Sequence, residues 1–161
     1  MKIGLLSDTH AHWDVKYEKY FSEVDEIWHA GDIGSDSLAD SLELIKPLRA
    51  VTGNCDGYPL RLRFNWFNFF EIEGVKVLLT HIGGYPGRYA PEILDKLNQL
   101  KPDLFICGHS HILKVKYDNK RSLLHINPGA AGLQGFQQVR TLVRFEISEG
   151  NIKNLEVIEL R

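Results

Sequence analysis

The sequence predicts an α/β fold in which two β-sheet regions stack with helices outside. Three observations carry this. In the first half of the chain, short apolar runs alternate with amphipathic segments, the pattern of strand-helix-strand units with right-handed crossovers and a largely parallel sheet. In the second half, strand-like runs come in pairs around short turns, the pattern of hairpins. Polar residues with metal-binding chemistry recur at the ends of the strand-like runs.

The elements follow in order. "KIGLLS" (2–7) reads as a buried strand. "DVKYEKYFSEV" (14–24) reads as a helix with Val15, Tyr20, Phe21 and Val24 on one face. "EIWHAG" (26–31) is a strand ending at Gly31. "SDSLADSLELIK" (35–46) is a helix: Ser35 or Asp36 caps it, Leu38, Leu42 and Ile45 share a side, and Pro47 stops it. "LRAVTG" (48–53) is the third strand. "FNWFNFFEIEG" (64–74) and "VKVLLTH" (75–81) form a hairpin across a Glu-Gly turn. "PEILDKLNQL" (91–100) is a helix with Pro91 in its first turn. "DLFICG" (103–108) is a strand, "LKVKYD" and "SLLHINPG" a hairpin around "NKR", and "VRTLVRFEI" and "NIKNLEVIEL" a last hairpin at Glu149-Gly150. This end of the chain is expected to be mainly antiparallel.

The 161 residues suit a single domain, 1–161, with a substantial core. The net charge of −2 argues against a strong general affinity for nucleic acid or anionic membrane. Two cysteines do not make a disulfide framework. The apolar start is too short for a secretory leader, and no run nears the ~20 apolar residues of a membrane span. A cytoplasmic protein with reduced thiols is the expectation.

The chemistry collects at strand exits. Asp8 and His10 follow the first strand, Asp32 the second and Asn54 the third; His81 ends "VKVLLTH", and His109 and His111 follow "DLFICG". In open α/β sheets the carboxyl ends of neighbouring strands border one crevice. Imidazole and carboxylate suit divalent transition metals. Glycines 31, 53 and 108 precede Asp32, Asn54 and His109 and permit tight turns. Four imidazoles, two carboxylates and an amide exceed what one tetrahedral ion needs; they fit two ions sharing a carboxylate.

The motifs "SDTH" (7–10), "GD" (31–32), "GNCD" (53–56), "TH" (80–81) and "GHSH" (108–111) together resemble the calcineurin-like metallophosphoesterases, in family order. The length is similar to that of the small single-domain phosphodiesterase branch, and "NPGA" (127–130) resembles a core-closing segment of that branch. The resemblance implies a four-layer αββα sandwich of two mixed β-sheets flanked by helices. It implies one metal on Asp8, His10, Asp32 and His111, and a second on Asn54, His81 and His109, with Asp32 bridging. Two divalent ions are expected, manganese first, with iron, zinc or nickel as alternatives. The implied reaction is hydrolysis of a small phosphoester by a metal-bridging hydroxide, most readily a phosphodiester.

Asn54, Cys55, Asp56 and His81 are the candidate catalytic residues. Cys55 stands where many relatives carry a proton-donating His, which favours diesters or good leaving groups; it is either a pocket-wall residue or a catalytic or metal-adjacent one. Asp56 is expected to orient a neighbouring imidazole. His12, Tyr85 and Arg88 are candidate substrate contacts, the last two from the Gly-rich "GGYPGRY" (83–89). Ile82 and Gly83 replace the Gly-His that follows the ligand His in other relatives. His29, His125 and Cys107 read as structural. The aromatics of "RLRFNWFNFF" (61–70) read as hairpin core, with a homo-oligomer contact as runner-up. Two further readings share the fold: a phosphomonoesterase or nucleotide pyrophosphatase, and a non-enzymatic scaffold similar to the retromer subunit of like size.

Overall fold

A computed structural model describes residues 1–161. Five strands form the first sheet: β1 (Lys2–Leu6), β2 (Glu26–His29), β3 (Leu48–Ala50), β11 (Arg140–Ser148) and β12 (Asn151–Leu160), in the order β12-β11-β1-β2-β3. Five more form the second: β4 (Phe67–Ile72), β5 (Val75–Thr80), β8 (Leu104–Ile106), β9 (Lys114–Asp118) and β10 (Leu123–Asn127), in the order β4-β5-β8-β10-β9. A two-stranded ribbon, β6 (Gly84–Tyr85) with β7 (Arg88–Tyr89), stands apart. The helices are α1 (Lys16–Phe21), α2 (Asp36–Ile45), α3 (Leu60–Arg63) and α4 (Pro91–Leu100).

Three apolar clusters define the layers. Ile3, Leu5, Trp28, Val77, Leu79, Leu104, Ile126, Val143 and Phe145 come from both sheets and pack between them. Tyr17 and Phe21 of α1 and Leu38 and Leu42 of α2 cover the outer face of the first sheet with Leu6, Ile27 and Leu142. Ile93 and Leu97 of α4 cover the second sheet against Leu78, Phe105 and Cys107. This is the expected αββα order. No helix is long and apolar enough to cross a membrane.

Several boundaries differ from the sequence reading, each for a local reason. Helix α1 starts at Lys16 because the Asp14 carboxylate accepts the Lys16 N–H at 2.9 Å, a turn that competes with helix. Val15 is therefore exposed and Tyr17 takes the buried face instead. Helix α2 is as read: the Ser35 hydroxyl accepts the Leu38 N–H at 3.2 Å. The segment 60–63 forms the short helix α3, so β4 begins at Phe67 and not at Phe64. Phe64 still packs on the cluster under α1 and α2, whereas Trp66 is half exposed.

The second half is mainly antiparallel, as expected, in the pairs β4–β5, β9–β10, β11–β12 and β1–β11, but the centre of the second sheet departs from that reading. Strands β5, β8 and β10 are mutually parallel, with β4 and β9 antiparallel at the edges. The stretch from Thr80 to Leu104 carries β6, β7 and α4, long enough for the crossover that parallel pairing requires. The last hairpin joins the first sheet, where β11 runs antiparallel to β1 in register Leu5↔Val143.

Candidate metal centre

Because β1, β2 and β3 run parallel, as do β5 and β8, the first sheet delivers Asp8, His10, Asp32 and Asn54 to one end of the sandwich, and the second delivers His81, His109 and His111. Backbone hydrogen bonds lock the loops: Asp8 N–H to Gly31 carbonyl at 3.0 Å, His10 N–H to Asp32 carbonyl at 3.0 Å, and Gly108 N–H to His81 carbonyl at 2.9 Å. The His109 N–H donates to Asp8 Oδ2 at 3.1 Å and so joins the two sheets.

Five of the seven candidate ligands have left-handed backbone: Asp8 (φ 54°), His10 (45°), Asp32 (54°), His109 (68°) and His111 (59°). Each such residue costs about 1–2 kcal/mol in an L-amino acid, and strain of this kind clusters where a side chain must be aimed. Glycine has a steric reason at each of the three expected places, 31, 53 and 108. A Cβ on Gly31 (φ +93°) would lie 2.6 Å from His81 Nδ1, and one on Gly53 would overlap the Asp32 carboxylate.

The side chains converge. Asp8 Oδ1 is 3.1 Å from His111 Nε2 and 3.9 Å from His81 Nε2. Asp32 Oδ2 is 3.2 Å from His81 Nε2 and 3.8 Å from His10 Nε2. Asp8, Asp32 and His81 are buried, yet Asp8 Oδ1, His10 Nε2 and His81 Nε2 have no hydrogen-bond partner. Unpartnered buried groups of this kind are costly. Two rings are also set in the ligating tautomer: His81 Nδ1 sits 2.7 Å from the Ala30 carbonyl, and His111 Nδ1 lies 2.9 Å from Gln137 Oε1. With Nδ1–H committed to an oxygen, Nε2 presents its lone pair to the cluster.

The electrostatics agree. Burial alone would raise Asp32 and lower His81, but the close approach of the two groups outweighs it, so the Asp32 carboxyl falls below the usual range and His81 rises. Burial and the His81 charge push His109 down. Burial, then the Asp32, Asp56 and Asp8 carboxylates, push the Cys55 thiol up.

Three triads bring ligand atoms within 4.8 Å of one another: Asp8–His10–His111, Asp8–Asp32–His81 and His10–Asp32–Cys55. Cys55 Sγ thus stands at the edge of the cluster, although the residue is exposed. His109 stays at the rim, its ring 5.2 Å from that of His81. Asn54 is exposed beside Cys55, its Nδ2 3.5 Å from Sγ.

Other residues fall elsewhere. The Asp56 carboxylate contacts no imidazole, contrary to the expectation. It accepts the N–H groups of Ile33, Gly34 and Gly53 at 3.1, 2.8 and 2.9 Å and ties two ligand loops together. Tyr85 lies under the Lys114 ammonium at 4.0 Å, and Arg88 lines a separate groove with Lys116, Lys120 and Arg121. His12 is half-buried in the loop before α1, its carbonyl 3.3 Å from the Tyr17 hydroxyl. None of these three lines the cleft that holds Asn54 and His81. His29 is structural, as read: it accepts the Gly31 N–H at 3.1 Å and bonds Thr9 Oγ1 at 2.9 Å. Cys107 and His125 are buried.

Sequence reasoning missed Gln137 and the role of Asn127. The Asn127 amide donates to the Gly108 carbonyl at 2.9 Å and Ser110 Oγ at 3.0 Å, bracing the "GHSH" loop. "NPGA" gave a signal for Asn127; Gln137 sits in a Gly/Gln-rich loop that gave none.

The model of the calcineurin-like phosphoesterase superfamily domain matches residues 1–150. A probable metallophosphoesterase of Methanocaldococcus jannaschii is 33% identical over 139 residues, 81% of this chain and 68% of that protein. A phosphodiesterase of the same organism is 28% identical over 146 residues, 80% of this chain and 83% of its own. Among solved structures, Vps29 of Chaetomium thermophilum has a TM-score of 0.77 at 15% identity, covering 99% of this chain and 97% of its own, a likeness of fold. The strained, strand-end ligands lie within the stretch that the family model spans, and the chain belongs to the calcineurin-like phosphoesterase superfamily.

Proposed function

We propose that the protein is a phosphodiesterase that works with two divalent metal ions. The observation that carries this is the set of inward-facing Asp8 Oδ1, His10 Nε2 and His81 Nε2 atoms that no protein group satisfies. Asp8, His10, Asp32 and His111 would hold one ion, and Asn54, His81 and His109 the other, with Asp32 shared. The donor set is oxygen and imidazole nitrogen, which suits manganese, iron, zinc or nickel. Bound divalent ions supply acidified water and neutralise charge on phosphoryl oxygens.

The chain's own residues do the rest. The Ala30 carbonyl and Gln137 hold His81 and His111 in register. Ser7 and the His109 N–H bind Asp8 Oδ2 and leave Oδ1 for the cluster. Preorganised groups of this kind contribute because they need no rearrangement as charge develops. Cys55, in place of an imidazole, leaves the site without a strong proton donor for the departing oxygen. That favours diesters and good leaving groups over alkyl monoesters. The 28%-identical relative named a phosphodiesterase supports the same reading.

The test uses bis(p-nitrophenyl) phosphate with the protein loaded in turn with manganese, zinc, nickel and ferrous iron. Asp8→Ala and Asn54→Ala should leave a folded protein with hydrolysis reduced about 100-fold or more, beyond the roughly 10–100-fold typical of losing only an outer partner. Near-normal hydrolysis by a metal-depleted variant would overturn the proposal. Tight binding of a partner chain with no hydrolysis of any ester would favour the scaffold reading.

A further inference from the structure

A cleft of about 800 Å³ opens directly beside the cluster, with Asn54 and His81 in its wall. Its other walls come from Arg61 of α3, the segment 64–66 between α3 and β4, and the first turn of α4. The volume lies in the range of small-molecule sites, which are mostly apolar with a few placed polar groups. This cleft has that character. Phe64, Trp66, Ile82 and Ile93 supply carbon surface, and Trp66 and Ile82 remain 49% and 46% exposed.

The charges in the cleft are few. Arg61 is anchored at the cluster end, its Nε donating to the Asp56 carbonyl at 2.6 Å, and no carboxylate pairs with it. The contrast with Arg63 is direct, since that guanidinium binds Asp36, Asp40 and Glu43. The α4 side carries Glu92. A cation near the cluster and a carboxylate on the α4 side suit one phosphate at the ions followed by an uncharged group. They do not suit a chain of phosphates.

We infer that this cleft binds the organic half of the substrate, and that this half is a planar ring of nucleobase size. The inference rests on the phosphodiesterase reading above and names its substrate class: nucleoside phosphodiesters in place of glycerol-sized ones. Trp66 offers the ring a face. Lys96 lies 4.9 Å from its ring centroid and Phe67 packs on it edgewise at 4.7 Å, which fixes its plane. Asn65 also lines the cleft and would offer its amide to the ring's polar edge. A glycerol-sized alcohol would leave most of the cleft and its carbon walls in water.

The test compares adenosine 5′-phosphate with methyl phosphate as inhibitors of bis(p-nitrophenyl) phosphate hydrolysis by the metal-loaded protein. Both offer the ions the same phosphate. The nucleotide should bind at least tenfold more tightly. Trp66→Ala should weaken the nucleotide by roughly 10–100-fold, the size that base–aromatic stacking carries, and leave methyl phosphate within about twofold. Tryptophan fluorescence reads the cleft without turnover: adenosine 5′-phosphate should quench it, and Trp66→Phe should abolish the quenching. Equal inhibition by the two phosphates, or equal weakening of both by Trp66→Ala, would overturn the inference. If the ester is not hydrolysed at all, the phosphodiesterase reading fails, while the fluorescence titration still decides whether the cleft takes the ring.

Discussion

Asp56 shows how much one carboxylate can organise without touching the chemistry. Its two oxygens accept three N–H groups, one from each of Ile33, Gly34 and Gly53. Asp32 and Asn54 adjoin those residues, so the carboxylate sets the spacing of two ligand loops. The group is 2% exposed, and each buried donor left unsatisfied costs about 1–3 kcal/mol. Asp56→Ala should therefore destabilise the protein by roughly 3–5 kcal/mol, read as a lower urea midpoint at unchanged slope. Asp56→Asn keeps one oxygen acceptor and should lose less. A neutral Ala variant would show that the loops stand without it. At this scale the sequence was informative where chemistry follows a local rule: Asp8, Asp32, Asn54 and His109 each stand at a strand exit, three of them directly after glycine. It was silent where a role depends on a distant loop folding back, as with Gln137 reaching His111 across 26 residues. It misread Asp56 for the same reason, because its partners 22 and 23 residues away are backbone groups without a side-chain signature.

Among the elements, α2 and α4 were legible because ten residues display a helical period and a start signal, Ser35 for one and Pro91 for the other. Helix α3 was not, since four residues cannot show a period of 3.6. The parallel centre of the second sheet was also hidden, because pairing across a crossover leaves no local mark, whereas hairpins announce themselves at their turns. Yet α3 matters to the site, since it carries Arg61 and leads into the cleft wall. Arg63 fastens it to α2 by contacts of 2.7 and 2.8 Å to Asp36 and Asp40 and 2.8 Å to Glu43. The Asp40 and Glu43 side chains are 63% and 44% exposed, so water screens these pairs and each is worth at most about 1 kcal/mol. Three carboxylates left without their cation would also repel one another along α2. Arg63→Gln should thus cost about 1–2 kcal/mol at low ionic strength and clearly less in 0.5 M salt. A salt-independent loss in urea titrations would assign the effect to packing on Phe64, over which the guanidinium sits at 5.2 Å.

For the whole molecule, the site is a seam. Four candidate ligands leave the first sheet and three the second, and besides the apolar layer between the sheets few polar groups cross there. One that does is the bond from the His109 N–H to Asp8. Without ions, Asp8 and Asp32 crowd two carboxylates into one buried triad with His81, and unsatisfied atoms face inward. Ions bound to the folded state would remove that penalty and join the sheets. Mass action then fixes the size of the effect: at 100 times the dissociation constant, a ligand of the folded form adds about 2.7 kcal/mol. For a chain of 161 residues, each kcal/mol raises the melting temperature by about 2–4 °C. Manganese or zinc should therefore raise the melting temperature of the chelator-treated protein by roughly 5–10 °C per saturated ion, and excess chelator should reverse it. In Asp32→Ala the rise should shrink strongly, because that carboxylate lies in two of the three triads. Calorimetric scans over a metal series decide the matter. A melting temperature indifferent to every divalent ion would mean that the strained loops and orphaned imidazoles serve something other than metal.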